Sequence, residues 1–204
     1  LQGGFTNIVK HIDVLNYQQY KDLQDEIGLV NVPEGLSDVT DWQKEAFRTG
    51  STQTYNVSIA QATEKLKYFF SGGYQRDGGI IKASFYQRYN FRMNVESELY
   101  KWLTVKTNVS YADYSSNGGG AMGTGASRGG VILSTINTPT YAPVWDPENP
   151  AQYYNNFYGV NLQHPIENIA RQKYNRNKEN RLIASGELFF TFLPGLTLQS
   201  KFTL

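Results

Sequence analysis

SFYQRYNFRMNVE, residues Ser84 to Glu96, places two kinds of chemistry on alternating positions. Phe85, Tyr89, Phe91, Met93 and Val95 fall on one parity, with Gln87 the only polar member, and Arg88, Asn90, Arg92, Asn94 and Glu96 fall on the other. Successive side chains of a strand point to opposite faces, so the segment reads as a strand with an oily face and a charged face. Which face turns inward separates a soluble sheet from one that meets lipid.

The same period of two recurs along the chain and predicts strands near 2–10, 52–61, 66–75, 84–96, 102–113, 180–192 and 196–204. In KLKYFFSGGYQ, Leu66, Tyr68, Phe70 and Tyr74 oppose Lys65, Lys67, Ser71 and Gln75, with Phe69 out of phase. In WLTVKTNVSY, Leu103, Val105, Val109 and Tyr111 oppose Thr104, Lys106, Asn108 and Ser110. RLIASGELFFTF sets Leu182, Ala184, Leu188, Phe190 and Phe192 against Arg181, Ser185, Glu187 and Thr191, with Ile183 and Phe189 as exceptions. Several of these runs reach ten residues or more, against an average of about 5–6 in soluble proteins and about 9–11 for a tilted strand crossing a bilayer. Mid-strand Arg88, Arg92, Lys65, Lys67, Lys106 and Lys201 exclude a sheet packed in a core on both faces.

The connections alternate in length. QATEK, SELYK and LPG are tight-turn segments, whereas the loops at about 11–51 and 114–180 are long, and RDGGI falls between the two on the long-loop side. Short turns at one end and long loops at the other are the layout of an up-and-down antiparallel transmembrane β-barrel. The expectation is therefore an all-β chain supplying about seven strands of a larger barrel, with short helices in long outer loops. Tyr55, Tyr68, Tyr74, Tyr89 and Tyr111 on the oily face suit interfacial girdles.

The first long loop holds a helix predicted from Asp13 as N-cap, with Leu15, Tyr20, Leu23 and Ile27 apolar and Gly28 as the stop, and DWQKEAF predicts another turn or two. The second begins SSNGGGAMGTGASRGG, whose Gly118 to Gly120 read as flexible loop, and continues through Pro139, Pro143, Pro147, Pro150 and Pro165, which read as blocking helix and strand alike.

Composition narrows the chemistry. Aromatics make up 14 % of the 204 residues, including 15 Tyr and 11 Phe, and there are 19 Gly, a mixture that favours strands and turns. A net charge of +1 supplies no long-range field for nucleic acid, so no nucleic-acid partner is expected. With no Cys and only His11 and His164, no catalytic residue, metal site or cofactor is assigned, and His164 reads as a loop residue. Asp146 and Glu148 are too few acids for calcium.

Several ordered motifs resemble the SusC-like TonB-dependent outer-membrane transporters (the RagA/SusC family). That family has D-W-Q-[DE]-x-[FI]-R-T, a Ser/Thr-Glu-Lys turn, Y-F-x-S-x-G-Y, x-[ED]-G-I-I-K and an R-x-x-x-R-x-N strand. The counterparts here are Asp41 to Thr49, Thr63 to Lys65, Tyr68 to Tyr74, Asp77 to Lys82, and Arg88, Arg92 and Asn94. Pro143 to Pro147, Asn175 to Leu182 and Asp13 to Tyr20 are similar too. One departure is Ala60-Gln61-Ala62 before the turn, where the family has Ser-Gly-Gly.

The resemblance implies that residues 1–204 are part of a barrel of about 22 strands, with the plug domain and TonB-contacting segment lying outside the chain. It implies an outer-membrane location in a Gram-negative bacterium and import of an oligosaccharide or peptide without bond chemistry. The partners it implies are a SusD-like surface lipoprotein, the TonB complex and outer-membrane lipid. On this reading Arg88, Asn90, Arg92, Asn94 and Glu96 face the lumen.

The candidate ligand-binding residues are Tyr141, Trp145, Tyr153, Tyr154, Phe157 and Tyr158, interspersed with Asn155, Asn156 and Asn161. Aromatic faces stack on sugar or peptide surfaces and amides supply paired hydrogen bonds. The alternative is that these rings pack the loop onto itself or onto a partner. At the level of the whole chain, the rival reading is a soluble or surface carbohydrate-binding β-domain.

Overall fold

The structure is a computed structural model that describes residues 1–117, 130–158 and 162–204. Seven strands, β1 (Gln2–Thr6), β2 (Gly50–Ala62), β3 (Leu66–Gly78), β4 (Phe85–Tyr100), β5 (Leu103–Asn117), β6 (Arg176–Leu193) and β7 (Leu196–Thr203), form one sheet in sequence order. Every pairing is antiparallel. This is the expected up-and-down meander of a barrel wall. The tight turns lie at one end, where Thr63 closes the β2–β3 turn through its backbone N–H to the Leu66 carbonyl and Gly195 takes φ +84° between β6 and β7.

Among the described residues, four helices interrupt the long loops: α1 (Tyr17–Ile27), α2 (Trp42–Ala46), α3 (Gly130–Asn137) and α4 (Pro165–Gln172). Helix α1 ends at Gly28 in the left-handed region, as predicted, but its N-cap is Asn16 rather than Asp13. Asn16 and Gln19 form a reciprocal capping box that outcompetes the earlier acid. Short helices in the long loops are as expected, but α4 departs from the reading of Pro165 as a block to helix. Pro165 opens α4 at its first turn, where a missing N–H costs nothing, and α3 starts at Gly130, the last glycine of the run. Gly118 to Gly120 lie outside the described residues.

The packed apolar core is in the loops. Among the described residues, only Ala112 of the buried hydrophobic side chains sits within a strand; the others are in helices or connections. Tyr17, Val32, Trp42, Tyr141, Ala142 and Phe157 form one cluster, and Ala46, Ile81, Val131 and Ile169 a second. The oily sheet face is bare, with Val57 73 %, Phe91 42 % and Leu198 59 % exposed.

Aromatic rings mark two levels of that face. Tyr55, Tyr74 and Tyr89 stack across β2, β3 and β4 at 6.1 and 4.9 Å. Near the short turns, Tyr100, Trp102, Phe190 and Phe192 stack in series at 5.3, 6.3 and 6.0 Å. Between Tyr89 and Tyr100, allowing for the register shift after Glu98, lie about ten strand rises, or about 34 Å. At a tilt of ~45° this is about 24 Å of height, close to the ~25 Å apolar band between the girdles of an outer-membrane barrel.

Candidate functional site

Register brings the polar halves of the strands together. Arg88, Asn90, Arg92, Asn94 and Glu96 share one face of β4, opposite Gln75, Gly73, Ser71, Phe69 and Lys67 of β3 and Tyr114, Ala112, Ser110, Asn108 and Lys106 of β5. Near the short turns this face carries a row of alternating charge over five strands: Lys67, Glu96, Lys106, Glu187 and Lys201. Glu96 lies 3.1 Å from Lys67 and 3.0 Å from Lys106, and Glu187 lies 3.0 Å from Lys201. Phe69 and Phe189, out of phase in the sequence, also point to this face, and Lys106 Nζ sits 5.0 Å above the Phe189 ring. Farther up, the guanidinium of Arg88 lies 5.3 Å from the Tyr114 ring centre.

The loop cluster is held on the sheet by the motif residues around Asp41. Asp41 caps α2 by accepting from the Lys44 N–H, and the Trp42 indole donates to the Pro139 carbonyl at 2.9 Å, joining the two long loops. The Gln43 amide both accepts from the Ile12 N–H and donates to the Ile12 carbonyl. Arg48 donates to the carbonyls of Gly79 and Ser84, fixing the β3–β4 connection. That connection is held from the other side by Asn117, which accepts from the Phe85 N–H and donates to the Ala83 carbonyl. Asn117 gives no signal in sequence, because its role depends on a turn more than thirty residues away.

The six loop aromatics divide. Tyr141 and Phe157 are buried at 4 % exposure and belong to the loop core; packing claims these two rings. Tyr154 and Tyr158 pack against that core, and Tyr153 is half-buried. Trp145 is half-exposed and stacks on Tyr153 at 4.5 Å and 19°. Both rings stand on a small hairpin, since Asp146 N–H donates to Gln152 O and Tyr154 N–H to Val144 O. Asn155 and Asn156 are exposed next to it, while Asn161 lies outside the described residues.

His164 corrects the loop reading. It is the N-cap of α4, and its Nδ1 accepts from the Glu167 N–H at 3.1 Å, so the proton of the neutral ring is on Nε2. The ring is buried between Trp42 and Tyr153, each 5.1 Å away. Burial holds its pKa below the usual histidine value. Burial likewise pushes the Tyr141 phenol upward, and Tyr154 up to about 12.

No protein-family model matches the chain. Among curated proteins, the TonB-dependent receptor SusC of Bacteroides thetaiotaomicron is 29 % identical over 156 residues, covering 76 % of this chain and 15 % of that protein. The TonB-dependent receptor P3 of Formosa agariphila is 24 % identical over 198 residues, covering 96 % of the chain and 19 % of the relative. The chain thus spans under a fifth of the length of these relatives. In structure it resembles the RagAB peptide transporter with a TM-score of 0.61 at 23 % identity, covering 91 % of this chain and 21 % of that one. The same importer in its open-open state gives 0.60 at 24 %; likeness at this identity speaks to fold. Ordered motifs, sheet topology and relatives agree: the chain is similar to a stretch of the SusC-like TonB-dependent transporters and has the fold of part of their barrel.

Proposed function

We propose that residues 1–204 form part of the wall of an outer-membrane importer of a Gram-negative bacterium, with the oily face in lipid, the polar face lining the lumen and the loop cluster outside. The observation that carries this reading is the bare apolar face between two aromatic levels, while the chain's own core lies in its loops. In water that face would expose a patch far larger than monomers tolerate, which disfavours the soluble carbohydrate-binding domain. The solute is an oligosaccharide or peptide, taken up without chemical change. The proton-motive force acts through TonB, and a SusD-like surface lipoprotein covers the loops. Trp145 and Tyr153 provide the exposed stacking platform for solute, and Arg88, Asn90, Arg92, Asn94 and Glu96 line the path.

The inversion of the sheet is tested in the full-length protein by placing a charge on each parity of β4. Val95→Lys, midway between the two aromatic levels, is expected to cost about 2–4 kcal/mol and to remove the protein from the outer-membrane fraction, whereas Asn90→Asp assembles normally. Equal behaviour of the two variants would overturn the placement.

A further inference from the structure

Among the described residues, the upper half of the polar face holds three arginines that make no ion pair. Arg88 and Arg92 are four positions apart on β4, on either side of Asn90. Asn90 pairs with Ala112 of β5, and Ala112 with Arg181 of β6. Arg181 therefore stands two strands away, level with the midpoint between the other two. From strand geometry the triangle has a base of about 13–14 Å and a height of about 10 Å, which arginine side chains reaching inward can span.

Its floor is small: Ser110, the register partner of Arg92, and Ala112, which is 8 % exposed. All three arginines line one concavity of about 440 Å³ together with Asn90, Ser110 and Ser71. Among the described residues none of the three makes an ion pair within 4 Å. The nearest acids by register are Asp77, one step beyond Gln75 on its face, and Glu179, one step beyond Arg181 on its own. The Arg88 Nε is buried with no hydrogen-bond partner, leaving a donor unused in a group that favours planar oxyanions.

We propose that this triangle is a binding subsite for an anionic group of the solute, a carboxylate, sulfate or phosphate. Three guanidinium groups around a polar floor at this spacing suit a solute with more than one negative charge. This goes beyond import of a neutral oligosaccharide or peptide and rests on the polar face being the lumen.

The test uses the purified full-length transporter with citrate and inorganic sulfate as probes in low-chloride buffer, measured by titration calorimetry. The wild type is expected to bind citrate. The Arg92→Gln, Arg181→Gln double variant is expected to bind it at least tenfold more weakly, while the corresponding double Lys variant keeps part of the affinity and Lys201→Gln keeps all of it. Failure of the wild type to bind either probe, as when an acid from elsewhere in the protein fills the triangle, overturns the proposal. Equal binding by the Gln double variant does so as well. Each variant is first checked for recovery from the outer-membrane fraction, so a misplaced sheet is seen separately from an absent anion site.

Discussion

Two levels of one sheet face use the same residue types to opposite ends. Toward the short turns, Lys67, Glu96, Lys106, Glu187 and Lys201 fall on one cross-strand row in alternating sign, and Glu96 bridges two lysines. Four or more residues farther up β4, Arg88 and Arg92 face Gln75, Ser71, Ser110 and Tyr114, all uncharged, with Arg181 across the small floor. Register alone makes the difference. The lower row satisfies itself and works as a clasp between strands, whereas the upper arginines keep their charge available to a ligand.

The largest effect that tests this contrast comes from reversing the clasp. Glu96→Lys removes two ion pairs and sets three lysines side by side. By the scale of exposed pairs and like-charge neighbours it is expected to cost about 1–2 kcal/mol, read as a lower unfolding midpoint of the full-length protein in detergent. Adding Lys106→Glu restores part of the loss. Arg92→Gln, which breaks no ion pair, moves the midpoint by less than about 0.5 kcal/mol. Equal costs at Glu96 and Arg92 would erase the distinction between clasp and subsite.

A smaller effect is expected at Gly73, which faces Asn90 on one side and Asn56 on the other. A Cβ there would lie 2.5 Å from Asn56 Oδ1 and 2.6 Å from Asn90 Oδ1, so both amides must turn away. Gly73→Ala is expected to cost about 1 kcal/mol and to weaken citrate binding severalfold by displacing Asn90 from the floor of the triangle. Unchanged binding would exclude Asn90 from the subsite.

This difference between levels also explains what sequence reasoning reached. All seven strands were legible, because a strand with one apolar and one polar face writes its period into every second residue; β4 is the clearest case. The strand ends were less so: β6 begins at Arg176 in a polar stretch, and β1 stops at Thr6. Helix α4 is hidden in the sequence because Pro165 reads as a breaker as readily as a first-turn residue, and α3 because VILSTIN follows glycines with no capping signal. Within the candidate site, Arg88 and Arg92 were legible on one strand, but Arg181 joins them only through the pairing of Asn90 with Ala112 and of Ala112 with Arg181. Likewise the six loop aromatics look alike in sequence, and only three-dimensional packing separates buried Tyr141 and Phe157 from exposed Trp145.

The loops offer a contrasting titratable group, buried rather than open. The His164 pKa is lowered on folding by burial, so the folded state binds fewer protons than the unfolded one. The stabilisation is fully present above the ordinary histidine pKa of about 6.5 and is lost as pH falls from there toward the folded value. Protonation would place a hydrogen on Nδ1, against the Glu167 N–H it now accepts, and the Val144 backbone and the Glu167 carboxylate offset the charge only in part. Protease cleavage in the loops should therefore rise as pH falls below about 6.5. His164→Asn, which keeps a capping oxygen, should flatten that dependence.

The smallest expected change separates core from platform among the loop aromatics. The Tyr141 hydroxyl is buried without a hydrogen-bond partner, so removing it relieves an unsatisfied polar atom while the ring stays packed against Tyr17, Tyr20 and Tyr158. Tyr141→Phe is expected to be neutral or stabilising by up to about 1 kcal/mol and to leave solute uptake unchanged. Trp145→Ala removes a half-exposed ring whose main contact is the Tyr153 face. It should change stability as little, yet lower uptake of the solute severalfold. If Tyr141→Phe impaired uptake and Trp145→Ala did not, the ligand surface would lie on the rings that packing now claims, and the platform would have to be moved inward from the hairpin to the loop core.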